Sequence, residues 1–250
     1  MRIAAGPDRM PSGMRPPANL AVLPVRTAGA AEHMAIDFLL LQRSPELRPR
    51  FRHYEWSRPA FTFGYGQKIS WVRGQLPAGE TVELCRRPTG GGLVDHRGDW
   101  TYALVIPRGH PLEAERASVS YRLIHECLAA ALQSQGVAAA LQTLAAGSET
   151  PDGVCFQKPE LSDVLAPGGA KIAGAAQKRN KRGLLFQGSV WRPAAGGAAV
   201  DWDRFGEDFS ARVGVALGGA AEPMPWPDLN EDEVSGLAET YAGPEWLEHR

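Results

Sequence analysis

The chain has 250 residues, 44% of them hydrophobic, enough to bury the core of one domain of ordinary to large size. Its 27 basic and 28 acidic side chains leave a formal net charge of -1, which gives no general drive toward nucleic acid or an anionic membrane. Three cysteines, Cys85, Cys127 and Cys155, lie far apart without a CxxC pair, so neither a disulfide framework nor a structural zinc site is indicated and no metal is expected.

Residues 1–19 carry four prolines among small residues and lack the apolar stretch of a signal peptide, so they read as a disordered arm ahead of a domain spanning 20–250. No run of about 18 apolar residues occurs, which excludes a spanning helix and makes the expected location cytoplasmic. Leu20 to Val25 reads as a strand, and Ala30 to Gln42 carries Met34, Phe38, Leu39 and Leu41 at helical spacing. Arg52 to Trp56 and Ala60 to Tyr65 read as a hairpin turning at Pro59. Val82 to Arg86 and Thr101 to Ile106 are further strands, joined by a segment too rich in glycine to be regular.

Ser118 is a candidate cap for a helix whose stripe is Val119, Leu123, Cys127, Leu128, Ala131 and Leu132, with Gly136 as its stop. Val137 to Leu141 then suggests a strand, Ala145 to Gly153 a flexible loop, and Leu184 to Trp191 a strand beyond a basic turn at Lys178 to Arg182. Asp203 to Leu217 and, behind an Asn230 cap, Glu231 to Tyr241 close the chain as helices. Strands and helices that do not strictly alternate favour an α+β class.

Two segments carry candidate chemistry. The first, Arg86-Arg87-Pro88-Thr89-Gly90-Gly91-Gly92-Leu93-Val94-Asp95-His96, places three side-chain-free residues where a ligand could approach exposed backbone N–H groups, with two arginines beside them. A plain hairpin tip would look the same. No Gly-Lys-Ser/Thr follows, so it is no Walker A loop, and it does not match GxGxxG. The second, Lys171-Ile172-Ala173-Gly174-Ala175-Ala176-Gln177, sets one lysine among small apolar neighbours, either poised toward a carbonyl or phosphate or standing at a surface strand end. Cys85 and Cys127 read as core residues.

Together, in this order, the segments resemble the lipoate–protein ligase and octanoyltransferase family. Its pattern is an Arg-Arg-x-x-Gly-Gly-Gly loop ending in histidine, a Lys-Ile-x-Gly-x-Ala-Gln-x-Arg loop and a Gln-x-Gly-Ser strand, here Gln187-Gly188-Ser189. The likeness reaches upstream to Met34-Ala35-Ile36-Asp37, Trp56-Ser57-Arg58-Pro59, Gly64 and Gln67, and downstream to Tyr241 and Trp246. It implies a single α+β domain of the class II synthetase and biotin-ligase kind, with a central mixed or antiparallel sheet holding an acyl slot. The implied substrate-binding set is Arg86, Arg87, Thr89, Gly90, Gly91, Gly92, His96, Asp163, Ile172 and Gly174, with Lys171 on the acyl carbonyl.

The resemblance implies two routes to one product, an acylated lysine on the lipoyl domain of a 2-oxoacid dehydrogenase or glycine cleavage protein. An octanoyltransferase takes the chain from acyl carrier protein through a cysteine thioester and needs no cofactor. Cys155, shortly before Lys171, stands where that nucleophile lies in one subgroup; its other reading is a small buried residue. A ligase uses free lipoate with ATP and Mg2+, and Asp163 resembles the aspartate before the lysine in ligases, or is simply a turn acid. The chain ends near where the catalytic domain usually finishes, without the accessory domain of large ligases, which tilts the expectation toward octanoyl transfer. A non-catalytic acyl binder and a biotin–protein ligase complete the alternatives.

Overall fold

The computed structural model describes residues 18–43, 48–143 and 160–249. The expected arm to residue 17, the Ala145 to Gly153 loop and Cys155 lie outside the described residues. In chain order the first half comprises β1 (Leu20–Ala28), α1 (Ala30–Gln42), β2 (Arg50–Trp56), β3 (Ala60–Phe63), α2 (Ile69–Arg73), β4 (Glu83–Arg86), β5 (Leu93–Asp95), β6 (Asp99–Pro107) and α3 (Pro111–Ala114). The second half comprises α4 (Ala117–Ser134), β7 (Ala140–Leu141), β8 (Val164–Leu165), β9 (Lys171–Asn180), β10 (Gly183–Trp191), α5 (Trp202–Ala216), β11 (Ala221–Pro223), α6 (Glu231–Ala242) and α7 (Pro244–Leu247).

These form an α+β fold around a mixed eight-stranded sheet, ordered β11-β1-β2-β6-β10-β9-β8-β7, with a separate three-stranded sheet β4-β3-β5. β1 runs parallel to β11 and β2, and every later neighbour pairs antiparallel. Both faces of the large sheet are covered, so side chains on alternate residues enter two different cores. On one face Phe51, Tyr102, Leu104 and Phe186 pack against Ile124 and Leu128 of α4 and Phe205 and Phe209 of α5. On the other, Leu23, Tyr54, Val105 and Leu185 meet Ile36, Leu39 and Leu40 of α1 and Val234 of α6. Each such aliphatic or aromatic side chain contributes roughly 1.5–3 kcal/mol on leaving water.

Helix α1 begins and ends where the sequence places it, and its first turn is held from far away: Ala30 N–H donates to Glu83 Oε2 of β4 at 2.7 Å. Asn230 caps α6 as expected, accepting from the N–H groups of Asp232 and Glu233. Gly136 follows α4 with φ +80, the left-handed stop its type allows.

Four expectations need correction. β2 and β3 are not a hairpin: past Pro59 the chain leaves the large sheet, and β3 pairs with β4 and β5 instead. The glycine-rich segment contains a short strand, β5. Arg116, not Ser118, stands at the α4 N-cap, and the buried stripe is turned toward Ser120, Ile124 and His125. Val119, Leu123 and Cys127 are only half-buried. Residues 171–180 are a strand rather than a loop, so Lys178 and Arg179 belong to β9, where Arg179 donates to the Glu113 carbonyl and to Ser120 Oγ. No helix among the described residues is long and apolar enough to cross a membrane.

Several histidines are buried in the neutral form. His33 of α1 donates through Nε2 to the Glu55 carbonyl at 2.8 Å and faces the Arg52 guanidinium at Nδ1, 3.3 Å away. Burial, then the Arg52 charge, pulls its pKa down to about 2, and burial also lowers those of His53, His110 and His125. The unfolded chain therefore binds more protons than the folded one below about pH 6.5, and stability falls as pH drops through that window. At about pH 5.5 His33 alone withholds about 1.4 kcal/mol. Urea titrations against pH should show this acid limb, flattened in His33→Gln.

Candidate active site

The two sheets enclose a slot. Directly opposed residues of an antiparallel pair share a face, so the register defines its floor: Gly174 of β9 lies opposite Ser189 of β10, Ser189 opposite Thr101 of β6, and Thr101 opposite Tyr54 of β2. One step along, Ala176 lies opposite Gln187. Thr62 of β3, the glycine loop at Gly91, Val94 and His96 form the roof, and Met34 of α1 and Trp56 of β2 close the inner end. Gly174, Ala175 and Gly188, which line the slot, leave its walls largely free of bulky side chains.

At the β9 end stands Lys171. β8 and β9 form a tight hairpin through Gly168 and Gly169, both with positive φ, which brings Asp163 beside the first residue of β9. Lys171 Nζ is 2.7 Å from Asp163 Oδ2, and both side chains are almost fully buried. The same carboxylate oxygen accepts from Glu160 N–H at 2.6 Å, fixing its direction. Gly174 makes room for the pair, since a Cβ there would lie 2.7 Å from Asp163 Oδ1 and 2.8 Å from Lys171 Nζ. The ammonium is thus a fixed positive charge held against the slot floor, in surroundings where low dielectric strengthens its field.

The arginines of the glycine loop part company. Arg87 folds beneath the loop, donating to the Gly90 and Gly92 carbonyls at 2.9 Å each and to Thr62 Oγ1 at 2.8 Å. Arg86 points the other way, donating to the carbonyls of Tyr65, Gln67, Trp246 and Leu247, and so ties α7 to the Gly64 turn. Arg87 thus braces the glycine loop, and Arg86 the Gly64 turn and α7 beside it. Thr89 donates to Gln187 Oε1 at 2.7 Å, while Gln187 Nε2 donates to Asp37 Oδ2 at 2.7 Å. Asp37 is in turn paired with Arg52 at 2.6 Å, both fully buried. The loop is therefore anchored through β10 to α1.

Under the roof runs a second network. Thr62 donates to His96 Nε2 at 2.7 Å, and His96 Nδ1 donates to Asp99 Oδ2 at 2.7 Å. Asp99 Oδ2 also accepts from Thr101 at 2.9 Å and Ser189 at 2.5 Å, and Trp56 Nε1 donates to Thr101 Oγ1 at 2.9 Å. These bonds converge on Asp99 Oδ2 and cross-link three strands at the slot's inner end, while Asp99 Oδ1 is buried without a hydrogen-bond partner among the described residues.

Of the residues singled out from sequence, Lys171, Asp163, Gly174, Arg87, Gly91 and His96 converge on the slot or its edge, and Gly90, Gly92 and Thr89 hold its roof. Ile172 does not: it is fully buried in the core against α4, on the opposite face. Thr62, Asp99 and Thr101 escape sequence reading altogether. Gln187 and Ser189, two apart on a strand and hence on one face, carry a signal, as do Met34 and Trp56 in the resembling segments. Cys85 is core, with burial raising its thiol pKa to about 12, and Cys127 is half-buried beside α5 with its own raised to about 11. Cys155 lies outside the described residues.

Comparison with known proteins gives consistent results. Two proteins called octanoyltransferase LipM, from Bacillus cereus and Carboxydothermus hydrogenoformans, are 32% and 34% identical to the chain over 169 and 168 residues. Each alignment covers 64% of this chain, which spans about 60% of the length of these curated relatives. A lipoate-protein ligase A bound with ATP superposes with TM-score 0.69 at 18% identity, covering 92% of this chain and 98% of the other. A bi-partite lipoate protein ligase from Thermoplasma acidophilum, described together with its E2 lipoyl domain, gives TM-score 0.66 at 18% identity, covering 92% and 96%. Residues 29–192, which hold the glycine loop, Lys171, Asp163 and the whole slot floor, match the family model of the lipoyl protein ligase A/B catalytic domain, and the chain belongs to that family.

Proposed function

We propose that residues 20–250 form a cytoplasmic catalytic domain that moves an octanoyl group from acyl carrier protein, through a thioester on Cys155, to the lysine of a lipoyl domain. The acceptor would be the lipoyl domain of a 2-oxoacid dehydrogenase or a glycine cleavage protein. The observation that carries this reading is the buried Lys171–Asp163 pair standing over one end of a narrow slot. A slot of this kind suits an extended acyl chain, each buried methylene bringing about 0.8 kcal/mol, and an ammonium fixed at its end suits a carbonyl oxygen that gains negative charge.

In the first half-reaction the Cys155 thiolate attacks the donor carbonyl, a C–S bond forms, and the carrier's sulfur leaves as thiolate. In the second, the neutral amine of the acceptor lysine attacks, a C–N bond forms, Cys155 leaves as thiolate, and the amine gives up its proton to solvent. Both steps pass through an oxyanion, and Lys171 Nζ is the donor placed to stabilise it, aimed by Asp163. Arg87 and the Thr89–Gln187 bond keep the glycine loop over the chain meanwhile.

Octanoyl transfer is preferred to ATP-dependent ligation because the relatives named octanoyltransferase share about a third of their aligned residues with this chain, whereas the ligase likeness rests on fold. The test is intact mass of an apo lipoyl domain incubated with the protein and either octanoyl carrier protein, or lipoate with ATP and Mg2+. An octanoyl adduct that forms without ATP and falls to background in Cys155→Ser is expected. Acylation that requires ATP and survives Cys155→Ser would replace this reading with the ligase one. Binding of octanoate without any adduct would make the protein a carrier, and a biotin adduct on a biotin-carrier domain would overturn the lipoyl reading.

A further inference from the structure

Behind the Lys171–Asp163 pair lies a group that the chemistry above does not use. Asp163 closes a four-residue turn from Glu160, its N–H donating to the Glu160 carbonyl at 3.0 Å. The residue before it, Ser162, has φ +70 and is the one non-glycine among the described residues in that left-handed region. An L side chain adopts this conformation only where its surroundings hold it there. His125 of α4 supplies the hold. Its ring is buried, and its Nδ1 lies 2.6 Å from the Ser162 carbonyl oxygen. A carbonyl only accepts, so the ring proton is on Nδ1. Burial lowers the ring's pKa and keeps it neutral, and Nε2 is buried with no hydrogen-bond partner among the described residues, as suits the nitrogen without a proton.

The Ser162 C=O and the Asp163 N–H are the two ends of one planar peptide unit. His125 grips one end and the Glu160 carbonyl the other, so the plane from which Asp163 departs is held against rotation. The Asp163 carboxylate therefore leaves the turn in one direction, toward Lys171 Nζ at 2.7 Å. On the acyl-transfer reading above, we propose that His125 is a positioning residue: through the Ser162 carbonyl it aims Asp163, and through Asp163 the Lys171 ammonium, at the reacting carbonyl. It touches no substrate, because α4 covers the opposite face of the large sheet and His125 does not line the slot.

The test separates the bond from the ring. In His125→Asn the carboxamide nitrogen stands two bonds from Cβ, as Nδ1 does, so the donor is kept and the ring lost. In His125→Phe the ring is kept and the donor lost, which leaves the buried Ser162 carbonyl without that bond. For octanoyl transfer from carrier protein to an apo lipoyl domain, kcat should stay within about threefold of wild type in His125→Asn and fall about tenfold or more in His125→Phe, the cost of a small misplacement of a catalytic group. The donor KM should stay within about twofold in both, since neither change reaches the slot. Amide hydrogen exchange of residues 160–165, which needs no transfer step, should quicken about tenfold or more in His125→Phe and stay near wild type in His125→Asn. Circular dichroism melts establish that each variant is folded; if His125→Phe is not, His125→Leu takes its place. A residue that only packs would give the reverse order, and that order, equal kcat values in the two variants, or unchanged exchange without the donor overturns the positioning role and leaves the transferase reading standing. A wild type that transfers no octanoyl group overturns that reading, and the exchange rates then decide alone whether His125 holds the Asp163 turn.

Discussion

Lys171→Met is expected to abolish acylation of a lipoyl domain, by about 10²-fold or more, and also to destabilise the fold by about 3–5 kcal/mol. The first figure is that of removing a donor aimed at a developing oxyanion. The second follows from burial: both members of the Lys171–Asp163 pair are almost fully enclosed, so removing the cation strands a carboxylate away from water. The two effects separate in a double variant. Lys171→Met with Asp163→Asn leaves no buried charge, and the asparagine carboxamide oxygen can still accept the Glu160 N–H now held at 2.6 Å. Urea denaturation should show most of the stability restored, while intact mass shows no acyl transfer. Restored transfer in the double variant would mean that Lys171 acts only through the fold.

The parts of this molecule legible from sequence are those whose physics is local. Asn230 announces α6 because a cap and its recipients lie within three residues, and Gly136 announces the end of α4 because it alone tolerates the required φ. The β2–β3 error has the opposite cause. Alternation identifies a strand but not its partner, and Pro59 turns the chain toward a second sheet whose existence depends on β4 and β5 far downstream. β9 is written in Ala, Gly, Gln and Lys, residues of low strand propensity, and becomes a strand because β10 and β8 flank it. The α4 stripe is misread by one step because Ser120 and His125 are buried polar residues, bonded to the Ala117 and Ser162 carbonyls. The same holds for the site: the motif spacing locates the glycine loop and Lys171, whereas Asp99, Thr62 and Thr101 meet only through sheet register.

Two alanine substitutions should have opposite consequences although both remove a glycine at the loop. Gly64 does not have a positive φ, so alanine is conformationally permitted, yet a Cβ there would lie 2.0 Å from the Gly91 carbonyl oxygen and 2.6 Å from the Gly90 carbonyl carbon. Those atoms are backbone and cannot swing aside. Gly64→Ala must push the roof off its seat, against Arg87, which grips the Gly90 and Gly92 carbonyls. A loss of about 1–3 kcal/mol or more is expected, as for overpacking elsewhere, together with loss of acyl binding. At Gly90, by contrast, a Cβ meets nothing within 4 Å and φ is not positive. Gly90→Ala should therefore gain about 0.4–1 kcal/mol from a stiffer unfolded chain. If Gly90 is bare because substrate approaches its backbone, the same stabilised variant will show a raised KM for the acyl donor. A Gly90→Ala protein that is more stable and fully active would place the substrate elsewhere along the loop; one that is more stable and impaired ties the glycine to the ligand rather than to the fold.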